Sequence, residues 1–205
     1  MSTLNLDLAQ LFNFYGSDKD RNGYSPLYHT LFDHMKEKPI NMLEIGIGTM
    51  IPGAHSSMVG YALEGYKPGG SLRAWRDYFI NGNIIGMDVQ SDTQFNDERI
   101  NTYLCNSTDN NVVQQTMSRL NTKQFDIILD DGDHYHESQL KTLRNFYPYV
   151  KQGGIYIIED IYPGSLVTTN HNLVKEIVGG DPFFFVGINN NQCVIFKNHI
   201  DMHPA

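Results

Sequence analysis

Phe125-Asp126-Ile127-Ile128-Leu129-Asp130, followed by Asp131-Gly132-Asp133-His134, is the stretch on which the fold turns. A short run that is apolar through its length and acidic at its C-terminal end reads as a strand buried on both faces. Strands of that kind belong to parallel sheets, and the glycine just beyond marks a turn. Ile155-Tyr156-Ile157-Ile158-Glu159-Asp160 repeats the pattern. Toward the N-terminus, Ile40-Asn41-Met42-Leu43-Glu44-Ile45 stops at Gly46 and Gly48, and Asn83-Ile84-Ile85-Gly86-Met87-Asp88 ends on an aspartate. Ile100-Asn101-Thr102-Tyr103-Leu104 is a weaker strand between these pairs.

Helical patterns fill the gaps. Leu140, Leu143, Phe146, Tyr147 and Val150 lie three or four apart and make one apolar face. Ser71 to Phe79 offers a serine N-cap and an apolar face through Leu72, Trp75 and Phe79. Strand and helix in alternation imply an α/β fold with crossover helices. Phe183 to Ile188 and Gln192 to Lys197, split by Asn189-Asn190-Asn191, read as an antiparallel hairpin closing the sheet. With no repeat and no linker, residues 1–205 are expected to form one domain. Its first 39 residues carry two helical stretches, Asp7 to Phe14 and Pro26 to Met35, broken at Tyr15-Gly16-Ser17-Asp18-Lys19. This preface either packs on the sheet or acts as a lid.

Composition narrows the partners. A net charge of −8 with no cluster of Lys or Arg repels phosphate backbones and argues against nucleic acid. Cys105 and Cys193, with no C-x-x-C spacing, make neither a zinc site nor a disulfide framework and suit a reducing cytosol. Met1 to Leu11 lacks the pattern of a signal peptide, and no segment approaches the roughly 18 apolar residues of a membrane span. A cytoplasmic protein acting on a small molecule is expected.

The end of the first strand suggests the cofactor. Gly46 and Gly48 let the backbone turn tightly and approach a ligand. Glu44, inside the glycine motif, would repel a pyrophosphate but welcome an ammonium or a sulfonium-bearing ligand. That favours S-adenosyl-L-methionine over a dinucleotide. Asp88 ends the second strand, where a carboxylate accepts both hydroxyls of a ribose; a cap for the next turn is the plainer use. It lies 44 residues past Glu44, against roughly 20 in a compact dinucleotide fingerprint, so Met50 to Gly70 reads as an insertion. Asn106-Ser107-Thr108-Asp109 supplies the donor and acceptor that an adenine edge needs, and equally the cap of a helix.

The chemistry gathers at the other strand ends. Asp130-Asp131-Gly132-Asp133-His134 and Glu159-Asp160 should converge, because the C-terminal ends of parallel strands face one crevice. Carboxylates crowded together repel unless a cation neutralises them, and oxygen ligands select a hard ion such as Mg²⁺. An alcohol ionises near a pKa of about 15.7, so its alkoxide at neutral pH lies roughly 12 kcal/mol uphill, too far for a histidine alone. A phenol needs only about 4 kcal/mol. Metal polarisation with His134 taking the proton therefore leans toward an aliphatic hydroxyl. Asp133, His134 or His136 could instead simply cap the following helix.

These motifs, with Gly69-Gly70-Ser71-Leu72-Arg73-Ala74-Trp75 and Gly153-Gly154 before Ile155, resemble the metal-dependent sugar O-methyltransferases of macrolide biosynthesis and the cephalosporin-hydroxylase-like proteins. The resemblance spans most of the chain. It implies a Rossmann-like class I methyltransferase fold, with a mostly parallel seven-stranded sheet and an antiparallel C-terminal hairpin. It implies that Asp131, Glu159 and Asp160 bind Mg²⁺, that His134 is the general base, and that Glu44, Gly46 and Asp88 hold the cofactor near Asn106 to Asp109. Two departures stand out. Asp133 replaces the usual serine of Asp-Asp-Gly-Ser-His, and no counterpart is seen of the large N-terminal domain that helps build the macrolide enzymes' oligomer and acceptor site.

The expected activity is Mg²⁺-assisted O-methylation of a sugar or small natural product. Catalysis is assigned to His134 and Asp131 and metal binding to Asp131, Glu159 and Asp160. Cofactor binding is assigned to Glu44, Gly46, Gly48, Asp88, Asn106, Ser107, Asp109 and Asp130. A metal-independent methyltransferase acting on another nucleophile, a non-catalytic cofactor-binding module and a homo-oligomer all stay open.

Overall fold

The computed structural model describes residues 6–62, 65–187 and 191–197. Two compact units divide the chain, Met1–Cys105 and Asn106–Ala205.

The first unit opens with α1 (Leu8–Phe14), held by a capping box in which Asp7 and Gln10 satisfy each other's backbone N–H. After α2 (Ser25–Phe32) and a single 3₁₀ turn come β1 (Asn41–Ile45), α3 (Gly70–Tyr78), β2 (Asn83–Asp88), β3 (Asn96–Asp97) and β4 (Ile100–Leu104). The sheet order here is β3-β4-β2-β1. β1 and β2 run parallel with Glu44 opposite Gly86, and β2 and β4 run parallel with Asp88 opposite Leu104. The N-terminal helices pack on α3 through an aromatic cluster. Phe12 meets Trp75 edge to face at 4.9 Å between ring centroids, and Tyr28 meets it at 5.3 Å. Phe12, Tyr28, Phe32, Trp75 and Phe79 are all fully buried, each burial contributing about 1.5–3 kcal/mol before entropy is counted. The preface is thus anchored on a helix of its own unit.

The second unit carries α4 (Asn110–Arg119), β5 (Phe125–Asp130), α5 (His136–Phe146), β6 (Val150–Ile158), α6 (Leu166–Thr169), α7 (His171–Ile177), β7 (Phe183–Val186) and β8 (Gln192–Phe196). Its sheet order is β5-β6-β8-β7. β5 and β6 are parallel with Asp130 opposite Ile158, whereas β8 runs antiparallel to both β6 and β7. The fold is therefore mixed α/β, mostly parallel, with antiparallel strands at the C-terminal end.

The structure departs from the sequence expectation at three places. Among the described residues there are eight strands and not seven, because a two-residue strand, β3, folds back on β4 around Arg99. α3 starts at Gly70 behind Gly69, so Ser71 is inside the helix and does not cap it. β6 begins five residues early, at Val150. Of the expected hairpin connection, Ile188, Asn189 and Asn190 lie outside the described residues, while the two flanking strands are antiparallel.

Candidate functional site

In the first unit the chain leaves β1 through two glycines in left-handed backbone, Gly46 at φ 90° and Gly48 at φ 86°, a region open to Gly without a Cβ penalty. The Gly46 N–H bonds the Met87 carbonyl at 2.8 Å. A Cβ on Gly48 would collide with the Tyr66 hydroxyl, which donates to the Ile47 and Gly48 carbonyls at 3.2 and 3.3 Å. Asp88 serves this turn directly. Its Oδ2 accepts from Ile47 N–H at 2.7 Å and its Oδ1 from Gln90 N–H at 2.8 Å. Burial pushes the Asp88 carboxyl above its ordinary pKa, although these backbone bonds oppose the shift.

Glu44 is fully buried, with Lys19 Nζ 3.2 Å from its Oε1. The cation that the glutamate invites is thus supplied by the N-terminal motif itself. Asp92 accepts from Thr49 Oγ1 at 2.6 Å and Met50 N–H at 2.7 Å, bracing the same turn from beyond β2. The sequence reading gave no site role to Lys19, Tyr66 or Asp92, because no local spacing announces pairings across 18 to 43 residues.

In the second unit the run from Asn106 does much of its bonding within the chain. Asp109 caps α4, accepting from Asn111 and Val112 N–H. Asn106 Oδ1 accepts from the Thr108 N–H and hydroxyl, and Ser107 Oγ meets Thr142 Oγ1 at 3.0 Å.

The acidic cluster follows from the register of β5 and β6. With Asp130 opposite Ile158, the residues just past each strand end are brought together. Asp131, His134 and Asp160 each offer one ligand atom, all within 4.8 Å of one another. His134 Nε2 lies 3.3 Å from Asp131 Oδ1 and 3.4 Å from Asp160 Oδ2. His134 and Asp160 hold φ of 60° and 51°, two of only four non-glycine residues with positive φ among those described. Such backbone costs about 1–3 kcal/mol per residue and persists where the surroundings impose it, often at working sites.

Burial works against a charged His134, yet Asp131, Asp160 and Asp130 outweigh it and hold its pKa above the usual value. Asp130 is pushed up to about 8, first by burial and then by the charge of Asp131. Tyr156, inside β6, donates to its Oδ2 at 3.4 Å. Glu159, at 1% exposure, lies outside the gathered trio. Asp133 faces the following helix, accepting from Tyr135 N–H and from the Ser138 hydroxyl at 2.8 Å.

The donor set suits a hard cation. Two carboxylates, from Asp131 and Asp160, meet the number of protein ligands that Mg²⁺ usually takes while keeping positions for water or substrate.

Strand order and connectivity are those of the class I methyltransferase fold. A solved structure of MycE methyltransferase from the mycinamycin biosynthetic pathway, in complex with Mg, SAH and mycinamycin VI, superimposes over 99% of this chain and 57% of that one, with a TM-score of 0.76 at 24% identity. Residues 43–161 match the family model described as a methyltransferase domain, and the chain belongs to that family. Among curated relatives, demethylmacrocin O-methyltransferase of Streptomyces fradiae is 30% identical over 84% of this chain and 44% of its own length. The 8-demethyl-8-(2-methoxy-alpha-L-rhamnosyl)-tetracenomycin-C 3'-O-methyltransferase of Streptomyces olivaceus is 32% identical over 76% of this chain and 37% of its own. The chain spans less than half the length of these two relatives.

Proposed function

We propose that this chain is an S-adenosyl-L-methionine-dependent O-methyltransferase, assisted by Mg²⁺, acting on a hydroxyl of a sugar-bearing small molecule. The observation that carries the reading is the trio of Asp131, His134 and Asp160, the last two in left-handed backbone, past two parallel strands of a methyltransferase-family chain. The names of the relatives support an oxygen acceptor, the rhamnosyl group in one of them supports a sugar, and the complex of the similar structure supports Mg and a methyl-donor product.

Asp131 and Asp160 would hold the metal, with Glu159 behind them as the further ligand that the resemblance implies. Bound Mg²⁺ lowers the pKa of a hydroxyl, and the cofactor's sulfonium supplies a methyl already activated for transfer. His134 Nε2 takes the hydroxyl proton, assisted by two carboxylates that favour its charged form. With that proton on His134, the acceptor oxygen would be the nucleophile for the methyl that a bound cofactor would supply, S-adenosylhomocysteine being the product. Within the first unit, Gly46, Gly48 and Asp88 would shape the turn that receives the cofactor.

The test is calorimetry with S-adenosylhomocysteine, then turnover on a panel of glycosides with Mg²⁺ or a chelator. Binding with chelator-sensitive transfer to a sugar hydroxyl is expected. Absence of cofactor binding would overturn the reading; transfer untouched by chelator would replace it with metal-independent chemistry.

A further inference from the structure

Tyr15-Gly16-Ser17-Asp18-Lys19 joins α1 to α2 and has no part in the reaction as proposed, yet it is pinned at both ends, to α3 and to Glu44 at the exit of β1. At one end Tyr15 Oη donates to Asp77 Oδ2 at 2.5 Å and accepts from Arg76 at 3.2 Å, both on α3. The Tyr15 carbonyl approaches Gly70 so closely that a Cβ there would stand 2.5 Å from it. In the middle, Gly16 turns through φ 74° beside the ring of Tyr66, whose hydroxyl bonds the Ile47 and Gly48 carbonyls. At the other end Lys19 Nζ reaches Glu44, two residues before Gly46, with side-chain exposures of 2% and 0%.

A buried ion pair is a weak source of stability, because desolvating two charges offsets most of their attraction. Its value lies in fixing a geometry, and here the geometry is the exit of β1. We infer that Lys19 is a positioning residue: through Glu44 it holds the Gly46–Gly48 turn in the shape that the methyl donor requires. The N-terminal segment is then part of the cofactor site. This rests on the cofactor reading above.

The test compares the full chain with Lys19→Met and with Lys19→Met/Glu44→Gln, by thermal melting and by calorimetry with S-adenosylhomocysteine. Lys19→Met strands a buried carboxylate, so both melting temperature and affinity should fall. The double variant strands no charge and should regain most of the melting temperature, while its affinity stays about tenfold or more below the parent. In turnover, the KM for the methyl donor should rise with kcat little changed. A double variant that binds S-adenosylhomocysteine as the parent does would overturn the inference, and it decides the matter even if Lys19→Met fails to fold. A parent that does not bind the probe is a separate result, which sinks the cofactor reading first.

Discussion

Asp88 Oδ2 accepts a 2.7 Å hydrogen bond from the backbone N–H of Ile47, the residue between the two left-handed glycines. One carboxylate thereby ties the end of β2 to the turn that leaves β1. Replacing Asp88 by Ala leaves the N–H groups of Ile47 and Gln90 without this acceptor. A loss of about 1–3 kcal/mol in urea unfolding is expected, together with weaker binding of S-adenosylhomocysteine. Affinity equal to the parent's would show that Asp88 serves the fold alone.

Gly70 leaves no room for a side chain. A Cβ would stand 2.5 Å from the Tyr15 carbonyl, a backbone atom that cannot swing aside. Gly70→Ala should cost about 1–3 kcal/mol, read from the denaturation midpoint at unchanged slope. An unchanged midpoint would mean that the N-terminal segment shifts freely.

Asp77 gives a pH dependence of known sign. Burial alone would raise its carboxyl, but hydrogen bonds from Arg76 and Tyr15 outweigh that and leave it below its ordinary value. A depressed carboxyl contributes stability that is complete above the unfolded pKa of about 3.9 and is lost as pH falls through the folded value. Unfolding free energies measured from pH 6 to 3 should therefore drop more steeply for the parent than for Asp77→Asn. Parallel curves would contradict the assignment.

Asp131→Asn separates chemistry from cofactor binding. Turnover should fall by about 10²–10⁴-fold with the loss of a metal ligand and of His134's partner. S-adenosylhomocysteine affinity should stay within about threefold of the parent's. Equal loss of both would mean that Asp131 organises the cofactor pocket.

Much of this was legible in the chain. β5 could be read to its last residue because it is apolar and buried along its length, and the meeting of Asp131 with Asp160 follows once β5 and β6 are parallel neighbours. The start of β6 was hidden: Lys151, Gln152 and Gly153 are exposed, and Gly153 adopts φ 71°, so the apolar signal begins only later. β3 is too short to show a period. Ser71 looked like a cap because serine caps many helices, but here Gly69 and Gly70 make the turn where Tyr15 crosses. Lys19 and Glu44 could each be noticed; their pairing, across 25 residues, belongs to the tertiary fold.

The backbone at His134 and Asp160 has a consequence for anyone selecting heat-resistant versions of this protein. Glycine at either position would relieve the left-handed backbone, a gain in stability wherever it exceeds the lost ion pairs, while deleting a working group. Selection for survival at temperature alone would erode this corner early, so a screen must score turnover alongside endurance.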